Sequence, residues 1–343
     1  MVMAATLRDV AQVAGVSFKT VSNVIHNHPH VAPETRARVM AAIDQLGYRA
    51  NRSARSLRSG RTGAIGLAVP ELSLAYFAEL ADEVITVADA HGVVVLIEQT
   101  GGDRRRELEA LSGDRRQMSD GLLFSPLGLG SDDAAALQVD FPLVLLGERI
   151  FDGPVDHVTM ENVEAARAAT EHLIAGGRRR IAVIGAHEGE RIGSAGLRVA
   201  GYRAALEAHG LDYDDSLVVD AGPWHRVNGA EAMQQLLARG VAFDAVFGLN
   251  DELALGALRV LRMHEFRVPQ DVAIIGFDDI DEAKYSLPSL TTVDPGRREI
   301  ARIAVELLLE RIGGSAPAPR RELRSPFRIV QRESTGAPVR VGA

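Results

Sequence analysis

Cysteine is absent from the 343-residue chain, which excludes disulfides, thiol nucleophiles, cysteine-ligated zinc and iron–sulfur clusters. Lysine is nearly absent. Only Lys19 and Lys284 are lysine among 38 basic residues, so there is no Gly-Lys pair from which a Walker A loop could be built. No uninterrupted apolar stretch approaches the roughly 18 residues of a membrane span. The first ten residues, MVMAATLRDV, lack the cationic stretch and apolar run of an export signal. A cytoplasmic protein with no membrane partner is expected. Aromatic residues are scarce, at 5%, and Trp224 is the single tryptophan. What remains is ordinary for a folded protein: 46% hydrophobic and 24% charged residues, in a length that suits about two domains and a third small one.

The net charge of -8 hides a polarised chain. Residues 1–61 hold nine basic residues (Arg8, Lys19, Arg36, Arg38, Arg49, Arg52, Arg55, Arg58 and Arg61) against three acids, a net +6. The remainder carries 29 basic and 43 acidic residues, a net -14. A small cationic head on a large anionic body is expected where only the head meets phosphate.

Within the head, TLRDVAQVAGVSFKTVSNVI (residues 6–25) reads as two short helices around a turn at Gly15. Thr6 with Asp9 makes a capping box for the first helix, and Ser17 can cap the second. Ala11, Gly15 and Val21 fall where two crossing helices need a small contact residue, a tight turn and an apolar anchor, which is helix-turn-helix spacing, and Val10, Ala14, Val21 and Val24 supply the buried stripe. A third amphipathic helix is expected over 33–46, with Val39, Ile43 and Leu46 on one face and Gly47 as its stop. The second helix should lie in the major groove of DNA, turning Phe18, Lys19, Thr20, Ser22 and Asn23 toward base edges and backbone, with Thr6 and Ser17 beside them. A three-helix interaction module with a solvated polar face is the competing reading. The basic segment YRANRSARSLRSGR (residues 48–61) is too short for a stable isolated helix. It suits folding on DNA, with Arg52, Arg55 and Arg58 on phosphate, Leu57 wedged between base steps in the minor groove, and Asn51 and Ala54 also meeting DNA. A solvated linker would suit the charges alone.

TLRDVAQVAGVSFKTVSNVI, ETRARVMAAIDQLGY and NRSARSLRSGRTGAIGLAVP resemble the head, third helix and hinge of the lactose-repressor (LacI/GalR) family, and the likeness runs essentially end to end. Ala32 replaces the serine that usually caps the third helix in that family. The organisation expected is a helix-turn-helix head (1–48), a hinge (49–61), a two-lobed ligand-binding and dimerisation domain (62–335) and a tail (336–343).

From residue 62 onward, AIGLAV, VVVLIE, GLLFS, LVLLG, RIAVIGA, AVFGLN and VAIIGFDD alternate with helical segments, and this repetition means parallel sheet. Ligands bind at the carboxyl ends of such strands. Ser125, Glu148, Asn250 and Asp278 stand at those ends, with Arg198 and Trp224 nearby. Carboxylate and amide side chains bridge neighbouring hydroxyls, and an indole covers a sugar's C–H face. Arg198 would equally suit a carboxylate or phosphate. Tyr76 and Phe77 either wall a pocket or pack a core. Asp251 reads as a helix cap, as do Asp279 or Asp281 for a following turn.

The resemblance implies an all-α head on an α/β, two-lobed, periplasmic-binding-protein-like (type I) body, the chain crossing between lobes near Glu161, near Val293 and around Arg320. It also implies that Arg198, Trp224, Asn250 and Asp278 line the effector pocket. Leu74-Ala75 stands where relatives often have Asn-Pro, which alters that side of the pocket.

His26, His28 and His30 resemble a metal cluster but lack a well-placed carboxylate. No nucleophile elbow, HExxH or strand-linked GxGxxG occurs. The expectation is therefore a transcriptional repressor without catalytic residues, metal or cofactor. It binds a pseudo-palindromic double-stranded operator as a homodimer, since one head supplies too few contacts and the hinges need each other; the last residues, STGAPVRVGA, hold no leucine heptad, which favours a dimer over a tail-assembled tetramer. A mono- or oligosaccharide effector would alter that grip. A solute-binding receptor, with the same body and no DNA role, is the alternative, and an enzyme on a similar sheet a second one.

Overall fold

The computed structural model describes residues 5–25, 28, 30–48, 61–112, 118–314 and 319–336. The chain divides into two compact units between Thr62 and Gly63.

The first unit holds three helices, α1 (Leu7–Ala14), α2 (Phe18–Ile25) and α3 (Pro33–Leu46). At the start of α1 the Thr6 amide donates to the Asp9 carboxylate at 2.8 Å while the Asp9 amide donates to the Thr6 hydroxyl at 3.4 Å, a reciprocal pair that satisfies two orphan donors. Gly15, at φ 64°, makes the left-handed turn into α2, where Ser17 Oγ accepts from the Thr20 amide at 3.1 Å. Val10, Ala14, Val21, Val24 and Val39 are buried together. Ile43 and Leu46 pack half-buried against the same core, which Ala42 joins. Ala32 provides no side-chain cap to α3. Arg36, one of the head's cations, donates to the Val24 and His28 carbonyls at 3.4 and 3.0 Å, closing the end of α2 rather than reaching outward.

The second unit is built on two six-stranded sheets. The first collects β1 (Ala64–Val69), β2 (Val94–Gln99), β3 (Leu122–Phe124), β4 (Leu143–Leu146), β5 (Asp156–Met160) and β11 (Glu322–Ser325) in the parallel order β11-β5-β4-β3-β1-β2. The second collects β6 (Ile181–Ala186), β7 (Val218–Asp220), β8 (Ala245–Gly248), β9 (Ala273–Phe277), β10 (Thr291–Asp294) and β12 (Arg328–Val330) in the order β12-β10-β9-β8-β6-β7, with only the β10–β12 pair antiparallel. Helices α4 (Ala75–Ala90), α5 (Arg104–Ala110) and α11 (Arg297–Gly313) belong to the first lobe. The second lobe carries α6 (Asn162–Ala175), α7 (Ser194–Ala208), α8 (Arg226–Ala238), α9 (Asp251–Met263) and the short α10 (Glu282–Tyr285). Buried Ile65, Leu67, Leu123, Val144, Val183, Phe247 and Ile275 show that both sheets are covered by helices, as parallel sheets require. Close helix packing depends on a missing side chain. A Cβ on Gly201 of α7 would stand 2.2 Å from the Val163 carbonyl of α6.

The chain crosses between lobes after Met160, again between Asp294 and Arg297, and finally at Pro326 and Phe327, between β11 and β12. The third crossing is thus not at Arg320. That residue precedes β11 and pairs with Asp152 of the first lobe at 3.2 Å, and β11 still belongs to the first sheet. Strand β5 also escaped the apolar pattern: its Asp156 is 2% exposed because Arg311 and Arg321 neutralise it at 2.8 and 3.2 Å.

Candidate functional site

A cleft of about 580 Å³ lies between the two lobes, at the carboxyl ends of both sheets, and Tyr76, Phe77, Ser125, Glu148, Arg198, Trp224, Asn250 and Asp278 all line it. The positions follow from the chain. Ser125 follows β3, Glu148 follows β4, Asn250 follows β8 and Asp278 follows β9. Tyr76 and Phe77 open α4 and also pack against the core, so they serve as wall and packing together.

Arg198 is 2% exposed and largely spent on its own lobe. Its Nε donates to Asn162 Oδ1 at 2.8 Å and its Nη1 to the Leu249 carbonyl. The guanidinium stacks 3.5 Å from the Phe277 ring centroid and stands 3.7 Å from Asp278 Oδ1. Trp224 is fixed by a 3.0 Å bond from its Nε1 to the Gly185 carbonyl, and Asn250 Nδ2 donates to the Trp224 carbonyl at 3.1 Å. Burial drives the Asp278 carboxyl up to about 7, with Arg198 and Arg297 opposing the rise. Burial likewise pulls Arg198 below its ordinary value, and Asp278 opposes that fall.

The helix-cap readings need correction. Asn250, not Asp251, caps α9, its Oδ1 accepting from the Leu253 amide at 2.8 Å. Asp251 is fully buried and accepts from the Ile280 amide at 3.0 Å and from the Thr292 hydroxyl. Burial, then neighbouring Asp278, pushes its carboxyl well above the usual range. Asp279 is tied to Arg332 and Asp281 to Lys284, and neither side chain caps α10.

Both rims meet across the cleft. Ser194 donates to Glu148 at 2.9 Å, Glu190 faces Arg149 at 3.5 Å, and His225 faces Glu71 at 3.2 Å. Glu190 also bonds His187 at 3.0 Å, and this hydrogen bond raises the imidazole above its ordinary 6.5. Glu252 adds a further carboxylate, held at 2.6 Å by Arg226. None of Ser194, His187, Glu190, Glu252 or His225 was expected from the sequence. Ser194 had a signal: it lies one helical turn before Arg198, on the same face.

In the head, Phe18 is 43% exposed. Lys19 and Ser17 are exposed with it, and Thr20, Ser22 and Asn23 are half-buried. Thr6 is exposed at the start of α1. Six of these sit on or beside α2, and Thr6 caps α1. Asn51, Arg52, Ala54, Arg55, Leu57 and the segment 49–60 lie outside the described residues, as does His26. Among the described residues no acid and histidine cluster could hold a metal, and no helix is long and apolar enough to cross a membrane.

Residues 6–51 match the family described as bacterial regulatory proteins, lacI family, and residues 170–335 match the periplasmic binding protein-like domain. The chain is 38% identical to the HTH-type transcriptional regulator CelR of Thermobifida fusca, over 92% of this chain and 94% of the relative. A solved complex of a transcriptional regulator CelR with cellobiose shares 32% identity and a TM-score of 0.72, covering 96% of this chain and 99% of that one. The lac repressor dimer bound to operator and the anti-inducer ONPF shares 28% identity and a TM-score of 0.81, covering 98% of this chain and all of that one.

Proposed function

Because this chain belongs to the lacI family of bacterial regulatory proteins, we propose that its interlobe cleft takes a neutral mono- or oligosaccharide, whose occupancy sets the grip of the helix-turn-helix head on a DNA operator. The protein is a ligand-responsive, DNA-binding transcriptional regulator. The observation that carries the choice of ligand is the cleft's chemistry. Five carboxylates, Glu71, Glu148, Glu190, Glu252 and Asp278, line it with two arginines, Arg149 and Arg198. Arg149 faces Glu190 at 3.5 Å and Arg198 faces Asp278 at 3.7 Å, with Arg198 Nε and Nη1 committed to Asn162 and the Leu249 carbonyl. An anionic ligand would find both arginines of the lining already opposite carboxylates, whereas sugar hydroxyls donate to carboxylates and the Trp224 face covers C–H surface. The cleft volume falls in the range of small-ligand sites. The cellobiose complex of a CelR regulator supports the same class.

In this reading Asp278 and Arg198 orient the hydroxyls, and Glu148 with Ser194 draws the lobes together over them. Ligand contacts shared by both lobes favour the closed arrangement over others in proportion to differential affinity. The head reads a pseudo-palindromic operator in the cytoplasm through Phe18, Lys19, Thr20, Ser22 and Asn23, with Thr6 and Ser17 at the backbone. Two copies act as a repressor dimer, because one head makes few contacts. The segment 49–61 serves as hinge, with Arg52, Arg55 and Arg58 on phosphate, Leu57 in the minor groove and Asn51 and Ala54 also at the DNA, joining the head (1–48) to the body (62–335).

Trp224 as the single tryptophan supplies the test. Its emission, followed in the full-length protein against neutral mono- and disaccharides and against their phosphorylated or carboxylated counterparts, should shift saturably with a neutral sugar. A response confined to the anionic sugars would overturn the reading.

A further inference from the structure

Two non-glycine residues in succession, Asp278 and Asp279, adopt positive φ, at 116° and 49°. Such backbone persists only where its surroundings over-determine it. The Asp278 amide donates to the Val293 carbonyl at 2.8 Å and Arg332 holds the Asp279 carboxylate, while the two carbonyls converge on one side chain. Arg297 Nη1 donates to the Asp278 carbonyl at 2.7 Å and its Nη2 to the Asp279 carbonyl at 3.5 Å. The same Nη2 pairs with Glu79 Oε2. The other Glu79 oxygen, Oε1, accepts from the Asp281 amide at 2.9 Å. Arg297 is the first residue of α11, just after the second crossing, and Glu79 lies on α4 of the first lobe, while Asp278–Asp281 belong to the second. A cation in the first turn of a helix opposes the helix dipole, so its position is explained by these tertiary bonds and not by the helix.

Resting on the proposal that Asp278 meets the effector, we propose that Arg297 is a positioning residue for the effector response. It holds the strained Asp278–Asp279 backbone in the shape that presents the Asp278 carboxylate to the cleft. Through Glu79 it ties that backbone to α4, the helix that also carries Tyr76 and Phe77 of the cleft wall. A ligand that moves Asp278 therefore moves both lobes through one guanidinium.

Amide hydrogen exchange on the full-length, ligand-free protein tests the tie. In Arg297→Gln, the amides of residues 279–281 and of the first turns of α4 should exchange at least tenfold faster, while the second-lobe sheet keeps its protection. Faster exchange confined to the first turn of α11 would overturn the proposal, since it would give Arg297 a role in its own helix only. Should that variant unfold, Glu79→Gln keeps the arginine and the side-chain shape. Loss of protection at Asp281 and in α4 supports the tie, and unchanged protection refutes it. The response readout is Trp224 emission with cellobiose, D-galactose and D-ribose as probes. Arg297→Lys should recover most of the wild-type affinity lost in Arg297→Gln, about tenfold, and equal losses in both would count against the positioning role. If no sugar shifts the wild type, the ligand proposal fails, and hydrogen exchange alone decides this one.

Discussion

Ser194, the first residue of α7 in the second lobe, donates a 2.9 Å hydrogen bond to Glu148, which follows β4 in the first. Glu148 also accepts from the Thr159 hydroxyl at 3.0 Å, so the carboxylate is held rigidly enough to be a docking point for the opposing lobe. Removing the donor should cost about 1 kcal/mol of closure, the net worth of one hydrogen bond. Ser194→Ala is expected to weaken effector binding about fivefold in a Trp224 titration. Unchanged affinity would remove this bond from the closing contacts.

In the proposed site, the Asp278 carboxyl, which burial pushes up to about 7, should give effector binding a pH dependence. Its ionised form accepts hydroxyls, so affinity should rise between pH 6 and 8, and Asp278→Asn should be weak and flat across that range. Stability runs the other way. A carboxyl whose folded value lies above its ordinary 3.8 stabilises the fold fully only below that ordinary value, and the contribution is lost as pH rises through about 7. Asp278→Asn, uncharged throughout, should therefore be more stable than wild type at pH 8, by up to the order of 4 kcal/mol, and nearly equal to it at pH 4. Urea unfolding at the two pH values checks the difference. A variant less stable at pH 8 contradicts it.

Ala32 leaves α3 without a side-chain cap. Ala32→Ser should stabilise α3 by about 1 kcal/mol, read as slower amide exchange in its first turns in the full-length protein. No slowing would mean that the preceding backbone cannot bring a hydroxyl to the orphan amides.

Lys19 is exposed on α2. In the groove-reading arrangement Lys19→Ala should weaken binding to the best operator by about 1–3 kcal/mol if it contacts a base. If it contacts phosphate, it should instead lower affinity uniformly across sequences and reduce the salt slope by about one. Anisotropy with specific and scrambled duplexes separates the two. No effect on either would take Lys19 out of the interface.

The apolar strands and the strand-end residues were legible because each is a local signal: a run of Val, Ile and Leu, followed by a polar side chain where a parallel strand stops. What was illegible depends on partners distant in sequence. Strand β5 begins with Asp156-His157, and its aspartate is tolerable only because Arg311 and Arg321 arrive from 155 and 165 residues away. Asp251 looked like a cap, but Asn250 one residue earlier takes that role, and only the approach of Thr292 and Ile280 gives the buried carboxylate its partners. Arg297 carries no motif at all. Its meaning comes from two carbonyls and a carboxylate that the fold brings to it.

The central claim is that one chain joins a sugar-sensing cleft to a DNA-reading head. Anisotropy of a labelled duplex, selected from a random library by the full-length protein, measures it directly across a salt series with and without the sugar that shifts Trp224. Affinity should fall steeply with salt and change by roughly 5- to 150-fold when the sugar is added, the range of a 1–3 kcal/mol coupling. Binding that is absent at low salt, or that the sugar leaves unchanged, would contradict it.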